Sequence, residues 1–296
     1  MASDATPSTS TDASSTAAVT PTGGSDPSPQ RAGSVTVLRW VLRQHRRALI
    51  GWTVAVAVVC GIYVSFWPAM GDAGELEALI EGMPEGIVAA LGYDAIGTPA
   101  GYLESTIFGL LGPILLLVFG LTFAAKLVAG EEEDGTLELE LSAPIARGSV
   151  YLQRYLTVVL ALLWLCLVVA AVTVGLVAAL DMQVGTPELL AITLGMFLLA
   201  LAFSSVAFAA GAATGRKAIA LAVGAGLAVA AYIANALAPL LDDGRWLEAI
   251  SPFAWYLASE PLVDGLSVPG ALGLVALALV PVGLAVVRFD RRDLGV

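Results

Sequence analysis

The side chains that could do chemistry are few and lie far apart in the sequence. His45 is the only histidine, and the two cysteines, Cys60 and Cys166, stand inside apolar runs. A structural zinc site needs about four His or Cys ligands, so we expect no metal site. Because both cysteines lie inside apolar runs, where a thiol is simply tolerated, we also expect no disulfide. Asp242 and Asp243 are paired carboxylates without a third acid at metal-ligand spacing. A membrane-embedded enzyme that acts on lipid is therefore a weaker alternative, in which these two acids would be the candidate catalytic residues.

A partial match to a phosphate-binding loop occurs in the stretch GAATGRKA at 211–218. A true P-loop has four residues between its glycines, with Lys directly after the second glycine and then Ser or Thr. Here Arg216 precedes Lys217, and Ala218 replaces the hydroxyl residue. We interpret the stretch as a turn with basic anchors, and we expect no cofactor and no catalytic residue in this chain.

The remaining polar cluster is the stretch GEEEDGTLELELSAPIAR at 130–147, which separates two apolar runs. Its four consecutive acids cannot lie in lipid. The alternating Leu and Glu residues favour a strand, but a lone strand would leave its backbone groups unpaired. We therefore predict a short helix, with Gly135 at the end of the preceding helix, Thr136 as N-cap and Pro144 as terminator. A solvated acidic run is the alternative.

The chain that carries these residues is too apolar for a water-soluble domain. Of its 296 residues, 58% are hydrophobic and 13% charged, and its mean hydropathy is +0.85. A helix needs roughly 20 apolar residues to cross about 30 Å of hydrocarbon. We therefore predict an all-α polytopic membrane protein with six transmembrane helices in a domain of residues 35–296. The predicted spans are 48–68, 104–128, 155–180, 188–212, 217–241 and 267–288.

Two features precede the first predicted span. Residues 1–34 are rich in Ser, Thr, Ala and Pro and contain no aromatic residue, a composition typical of disorder. The next segment, SVTVLRWVLRQHRRALIGW, has an apolar helix face opposite Arg39, Arg43, Arg46 and Arg47. It predicts an interfacial helix with its arginines toward anionic membrane lipid. A cytoplasmic extension of the first span is the alternative.

The distribution of basic residues predicts the orientation in the membrane. Of the 14 Lys and Arg residues, only Arg245 falls on the side opposite the others. Because Lys and Arg accumulate on the cytoplasmic side, we place both termini and the 129–154 loop in the cytoplasm of a plasma-membrane protein. The segment 69–103 then lies outside, where it is long enough to cap the bundle.

Charge also disfavours some classes of function. The formal net charge is −11, which disfavours binding to nucleic acid. No ionisable residue falls in the centre of a predicted span, although ion-coupled carriers commonly place one there. An ATP-independent carrier or channel is therefore an alternative rather than our first choice.

The acidic stretch is similar to a motif of one membrane-protein family. Permease subunits of ABC transporters of the ABC-2 type have a loop between spans two and three that reads roughly E-x-E-x-G-T-L-E-x-L-L-x-x-P-[VI]-S-R. The matching residues include Glu131, Glu133, Gly135, Thr136, Pro144 and Arg147. SPFAWYLASEPL at 251–262 resembles the family's outer S-P-F-x-x-Y element, and FDRRDLGV at 289–296 resembles its closing F-x-R-R-D-L-G. Arg154 stands where a Lys is common.

The resemblance implies a division of labour. The chain would be the permease of an exporter, while ATP would be bound and hydrolysed by a separate ABC ATPase subunit. The stretch 131–147 would dock into that ATPase as a cytoplasmic coupling helix. Glu131 and Glu133 would pair with basic groups of the ATPase or of the entry helix, which contains Arg43, Arg46 and Arg47, and Arg147 would make the reciprocal contact. Six spans enclose little space alone, so a second permease copy is expected, as a homodimer or heterodimer.

Overall fold

The chain folds as a bundle of helices. A computed structural model describes residues 45–70, 82, 84, 96–130, 147–241, 244–257, 261–262 and 265–290, and these residues contain no strand. The helices are α1 (Arg46–Phe66), α2 (Pro99–Gly130), α3 (Arg147–Ala179), α4 (Thr186–Thr214), α5 (Lys217–Leu237), α6 (Arg245–Ile250), α7 (Pro252–Leu257) and α8 (Val268–Asp290). Six of them are long and apolar enough to cross a membrane. The predicted all-α, six-span fold is therefore confirmed.

Helices α2 and α3 extend beyond the predicted spans. Helix α2 begins at Pro99 rather than at residue 104, because the Thr98 side chain caps it by accepting a 3.0 Å hydrogen bond from the Gly101 backbone N–H. Helix α3 begins at Arg147 rather than at residue 155. Hydropathy locates the apolar part of each helix, whereas the backbone hydrogen bonds continue into the polar flanks.

Helix α4 lies at the centre of the bundle. Its most apolar window is 72% buried, compared with 17% for α1 and 22% for both α5 and α8. It packs against α2, α3, α5 and α8. A helix that is apolar on every side is suited to such a central position, whereas the outer helices expose their apolar faces as a membrane protein requires.

Helix α2 is not a regular α-helix throughout. Its middle, Gly112–Ala125, is α-helical, but Glu104–Leu111 and Lys126–Gly130 are π-helical. The first π segment comes just before Pro113, whose ring would collide with the carbonyl four residues earlier in an ordinary α-helix. The wider π turns accommodate that ring, and π turns are frequent at functional sites.

The connection between α4 and α5 is the turn that the sequence predicts. Gly215 ends α4 with φ at 66°, a left-handed conformation that glycine adopts without strain, and its N–H donates a 2.7 Å hydrogen bond to Gly211 O. Helix α5 then begins at Lys217. The stretch 211–218 therefore joins two helices, whereas a P-loop joins a strand to a helix.

Several predicted segments lie outside the described residues. They are the 1–34 tail, the part of the interfacial helix that contains Arg39 and Arg43, most of the outer segment 69–103, and loop residues 131–146. Their conformations stay predictions.

Candidate functional site

The two roots of the acidic loop, which we define as the end of α2 at Gly130 and the start of α3 at Arg147, lie at one end of the bundle. We call it the basic end because it contains Arg46, Lys126, Arg147 and Lys217. Helix α2 ends at Gly130, and α3 begins at Arg147. A Cβ atom on Gly130 would lie 3.4 Å from Lys126 Cγ and 3.9 Å from Lys217 Cδ. The aliphatic parts of the Lys126 and Lys217 side chains thus flank Gly130, the residue directly before the four acids.

Only part of the predicted loop and interfacial residues can be placed. Arg46 and Arg47 begin α1 with exposed side chains, and Arg147 is the first residue of α3. Glu131, Glu133, Gly135, Thr136 and Pro144 lie outside the described residues, as do Asp242 and Asp243. The capped helix and the charge pairs of the loop stay predictions.

Arg154 joins the two roots of the loop. Its side chain is 4% exposed, and its guanidinium Nη1 donates a 2.8 Å hydrogen bond to the backbone carbonyl of Leu127. Leu127 lies in the π-helical turn Lys126–Gly130, directly before the acidic loop. In the sequence, Arg154 is distinguished only by its charge. A cation directly before an apolar run was the available signal that it serves a packed contact.

An apolar groove lies between α2 and α5. It is a cavity of about 290 Å³. Several lining side chains are also exposed on the outside of the bundle, among them Ile114 at 48% and Val229 at 58%, so the groove opens sideways. The lining residues are Gly109, Leu110, Pro113, Ile114, Leu117, Val118, Leu121, Ala225, Ala228, Val229, Tyr232 and Phe253. Of these, only Tyr232 has a polar side chain, and an apolar molecule fits such a surface best.

The SPFAWY stretch borders the groove away from the basic end. Ser251 begins this corner: its Oγ donates to Ala231 O of α5 at 3.1 Å and accepts from the Ala254 N–H at 3.4 Å. The Phe253 ring stands 5.4 Å from the Tyr232 ring, in an edge-to-face arrangement. The motif that the resemblance placed in an outer loop is thus a packed corner that ties α7 to α5.

Tyr256, the last residue of that stretch, completes the hydrogen bonding of α2. In the π segment, Gly112 N–H bonds Ile107 O, five residues back. The next donor in this pattern would be the nitrogen of Pro113, but proline has no N–H, so Phe108 O lacks its helical partner. The Tyr256 hydroxyl donates to this oxygen at 3.1 Å. Burial raises the pKa of Tyr256 well above its usual value, which keeps the hydroxyl protonated as a donor.

Removing this hydroxyl should destabilise the protein. Tyr256→Phe keeps the buried ring, which is 1% exposed, but leaves Phe108 O without its donor, at a cost of about 1–3 kcal/mol. We expect a lower unfolding temperature in detergent. The control, Tyr63→Phe, alters a side chain that is 38% exposed and should change stability by less than about 0.5 kcal/mol. Equal unfolding temperatures for the two variants would contradict the assignment.

The charged groups in or near the spans lie toward the helix ends. Glu104 and Glu188 lie near the start of α2 and α4, Lys126 lies in the last turn of α2, and Arg154 lies in the basic-end part of α3. Within the ranges the structure describes, no three His, Cys, Asp or Glu residues form a group that could hold a metal ion. Among the described residues, we take the groove and the two helix ends that flank the acidic loop as the candidate site.

Comparison with protein-family models assigns the chain to a family. A model described as ABC-2 family transporter protein matches residues 36–294, which is nearly the whole chain and includes all six spans. No curated protein matched the chain with significant similarity. The match agrees with the resemblance seen in the acidic loop, the SPFAWY stretch and the closing residues. With six membrane-spanning helices and this match, the chain belongs to the ABC-2 family of transporter proteins and is a multi-pass membrane permease.

Proposed function

We propose that the chain is the permease subunit of an ATP-driven exporter, and that the groove between α2 and α5 forms this chain's part of the translocation path. A separate ABC ATPase supplies the energy by binding the 131–147 stretch in the cytoplasm. The basic end of the bundle faces the cytoplasm of a plasma-membrane protein, in accord with the positive-inside rule, and both termini lie on that side. The family membership supports an ATPase partner in general terms.

The observation that carries this proposal is that one helix connects the loop with the groove. Helix α2 ends at Gly130, where the loop begins, and residues of the same helix from Gly109 to Leu121 line the groove. Most of the groove-lining stretch belongs to the regular α-helix Gly112–Ala125, which moves as a rigid rod, and the π-helical turn Lys126–Gly130 joins this rod to the loop. A push on the loop would therefore move one wall of the groove relative to α5.

Two copies of the chain are part of the proposal. The groove is open on its side, and the exposed faces of α1, α5 and α8 carry large apolar residues such as Val54, Ile233 and Leu272. A second permease, identical or related, would close the path, while membrane lipid would cover the remaining apolar faces.

The test joins partner binding to a movement of the groove. The chain is expressed with candidate ATPase subunits, and the complex is purified in detergent. Ile114→Cys, introduced with Cys60→Ala and Cys166→Ala, places a single thiol on the groove. We expect its labelling by a fluorescent maleimide to change severalfold between the nucleotide-free complex and the complex trapped with ATP and vanadate.

A control thiol separates groove movement from general changes. Leu284→Cys in the same background stands on α8 with 67% exposure and should label equally in both states. Unchanged labelling of Ile114→Cys in a complex that hydrolyses ATP would remove the groove from the translocation path. Transport that survives ATP depletion, by a chain purified without any ATPase, would overturn the proposal as a whole and favour the carrier alternative.

A further inference from the structure

We infer that Arg154 is a positioning residue for energy coupling, because it holds the end of α2 and the start of α3 together. Force on the 131–146 loop then moves α2 as a whole instead of only bending its last turn. The inference rests on the proposed function, because it assigns a role within the same path from the loop to the groove.

The burial of Arg154 is the first reason. A guanidinium that is 4% exposed has lost nearly all its contact with water, and this is costly unless polar partners replace the water. Arginine cannot shed its charge at physiological pH. The neighbouring apolar residues of α3, such as Val158, Ala161 and Leu162, are themselves buried. A leucine or methionine would fill this place at lower cost, so the charge points to a role beyond packing.

The acceptor of its hydrogen bond is the second reason. The partner at 2.8 Å is the backbone carbonyl of Leu127, in the π-helical turn Lys126–Gly130 that directly precedes the acidic loop. A backbone acceptor moves with the helix itself, whereas a side-chain acceptor could change rotamer. The bond therefore constrains the α2 backbone directly.

The position of the bond is the third reason. It links a residue three positions before the end of α2, Leu127, to a residue in the second turn of α3, Arg154. Helix α2 directly precedes residues 131–146 in the chain, and α3 directly follows them. Without the bond, the π-helical turn Lys126–Gly130 could yield under load, and a displaced loop would no longer displace the groove wall.

A nearby bond provides a matched comparison. Tyr155 follows Arg154 directly in α3, is 7% exposed, and its hydroxyl is 2.8 Å from Ser205 Oγ of α4. This bond also joins α3 to another helix through a buried polar group, but it does not involve α2. A general loss of stability should follow from removing either bond, whereas a loss of coupling should follow only from removing the bond to α2.

The experiment uses the complete permease and ATPase complex with the Ile114→Cys thiol as reporter. Arg154→Met keeps an unbranched, flexible side chain in place of the apolar stem of arginine and removes its hydrogen-bond donors. We expect the ATP-dependent change in maleimide labelling to fall about tenfold, the ratio that corresponds to a charged hydrogen bond of about 1.4 kcal/mol or more, while ATP hydrolysis continues. Arg154→Lys retains a donor and should recover part of the change. Tyr155→Phe should keep it in full.

Each outcome then has one meaning. If the complex with Ile114→Cys alone shows no ATP-dependent labelling change, the groove is not part of the translocation path, and the inference fails with it. If it does and Arg154→Met behaves like Tyr155→Phe, the inference is wrong and Arg154 serves structure alone. If Arg154→Met does not fold, the comparison of Arg154→Lys with Tyr155→Phe decides: a smaller labelling change per ATP hydrolysed in the lysine variant alone supports the inference, and equal values overturn it.

Discussion

The double variant Glu131→Lys with Glu133→Lys is expected to lose ATPase binding, or to uncouple ATP hydrolysis from movement of the groove, while it still inserts into the membrane. The two substitutions change the charge of the loop by about four units next to Lys126 and Lys217, whose stems flank Gly130. Basic groups of the ATPase that pair with the acids of the loop would then be repelled by the lysines, and such repulsion costs several kcal/mol in a desolvated interface.

The size of the effect separates docking from simple solvation. If the acids form only a hydrated surface run, their substitution should change stability and activity little, because exposed charges contribute about 0–1 kcal/mol. If they contact the ATPase, we expect at least a tenfold loss of the ATPase retained on the purified permease, or of the labelling change at Ile114→Cys per ATP hydrolysed. The measurement is the amount of copurified ATPase together with that labelling ratio.

A control of equal charge is available elsewhere in the chain. Asp242→Lys with Glu248→Lys makes the same charge change in the segment between α5 and α7 and should leave ATPase binding intact. Normal partner binding and coupling in the Glu131 and Glu133 variant would remove the docking role of the acidic stretch. An equal loss in both double variants would show that net charge alone matters.

The second large effect concerns the helix contact behind the groove. A Cβ atom at Gly224 of α5 would lie 2.6 Å from Leu121 Cδ2 of α2 and 2.7 Å from Ala207 Cβ of α4. The leucine methyl can rotate away, but the alanine Cβ moves only with the α4 backbone. Gly224→Val should therefore force α5 away from α4 and destabilise the protein by about 1–3 kcal/mol or more.

The same helix supplies the control. Gly226, two residues later, has no atom within 4 Å of its ideal Cβ position, so Gly226→Val gains the same helix propensity without the collision. Thermal unfolding of the two purified variants in detergent is the measurement. We expect Gly224→Val alone to unfold at a lower temperature, and the ATP-dependent labelling of Ile114→Cys to be altered in that variant. Equal unfolding temperatures would contradict the close approach of α4 and α5.

Helix α2 combines a feature that the sequence predicts with features that only the fold reveals. Its existence as a span follows from its apolar run, but its two π segments could not be derived from hydropathy. Pro113 was a visible signal, because a proline within an apolar run must leave a carbonyl without its donor. The sequence alone did not indicate which side chain would supply that donor, since Tyr256 lies far along the chain and reaches Phe108 O only in the folded bundle.

The same limit applies to the candidate site. The acidic loop and its basic flanks are contiguous in sequence, so motif similarity and charge bias were sufficient to propose a docking element. The groove is formed by residues of α2 and α5 with Phe253 of α7, and no local pattern distinguishes its lining residues from those that face lipid. Arg154 was visible as a charge, but its acceptor is a backbone atom that any residue carries.

The sequence by itself determined the class of the protein: six apolar runs of sufficient length, the bias of Lys and Arg, and three short motifs predicted an all-α ABC-2 permease. These properties are local, because the bilayer acts on each segment separately through its length and polarity. The tertiary structure decided that α4 is central, that α2 and α5 leave a groove, and that Arg154 and Tyr256 donate hydrogen bonds to backbone carbonyls of α2. Such pairings depend on which helix faces meet, and helices surrounded by lipid meet through shape and polar contacts rather than through hydrophobicity, which they all share.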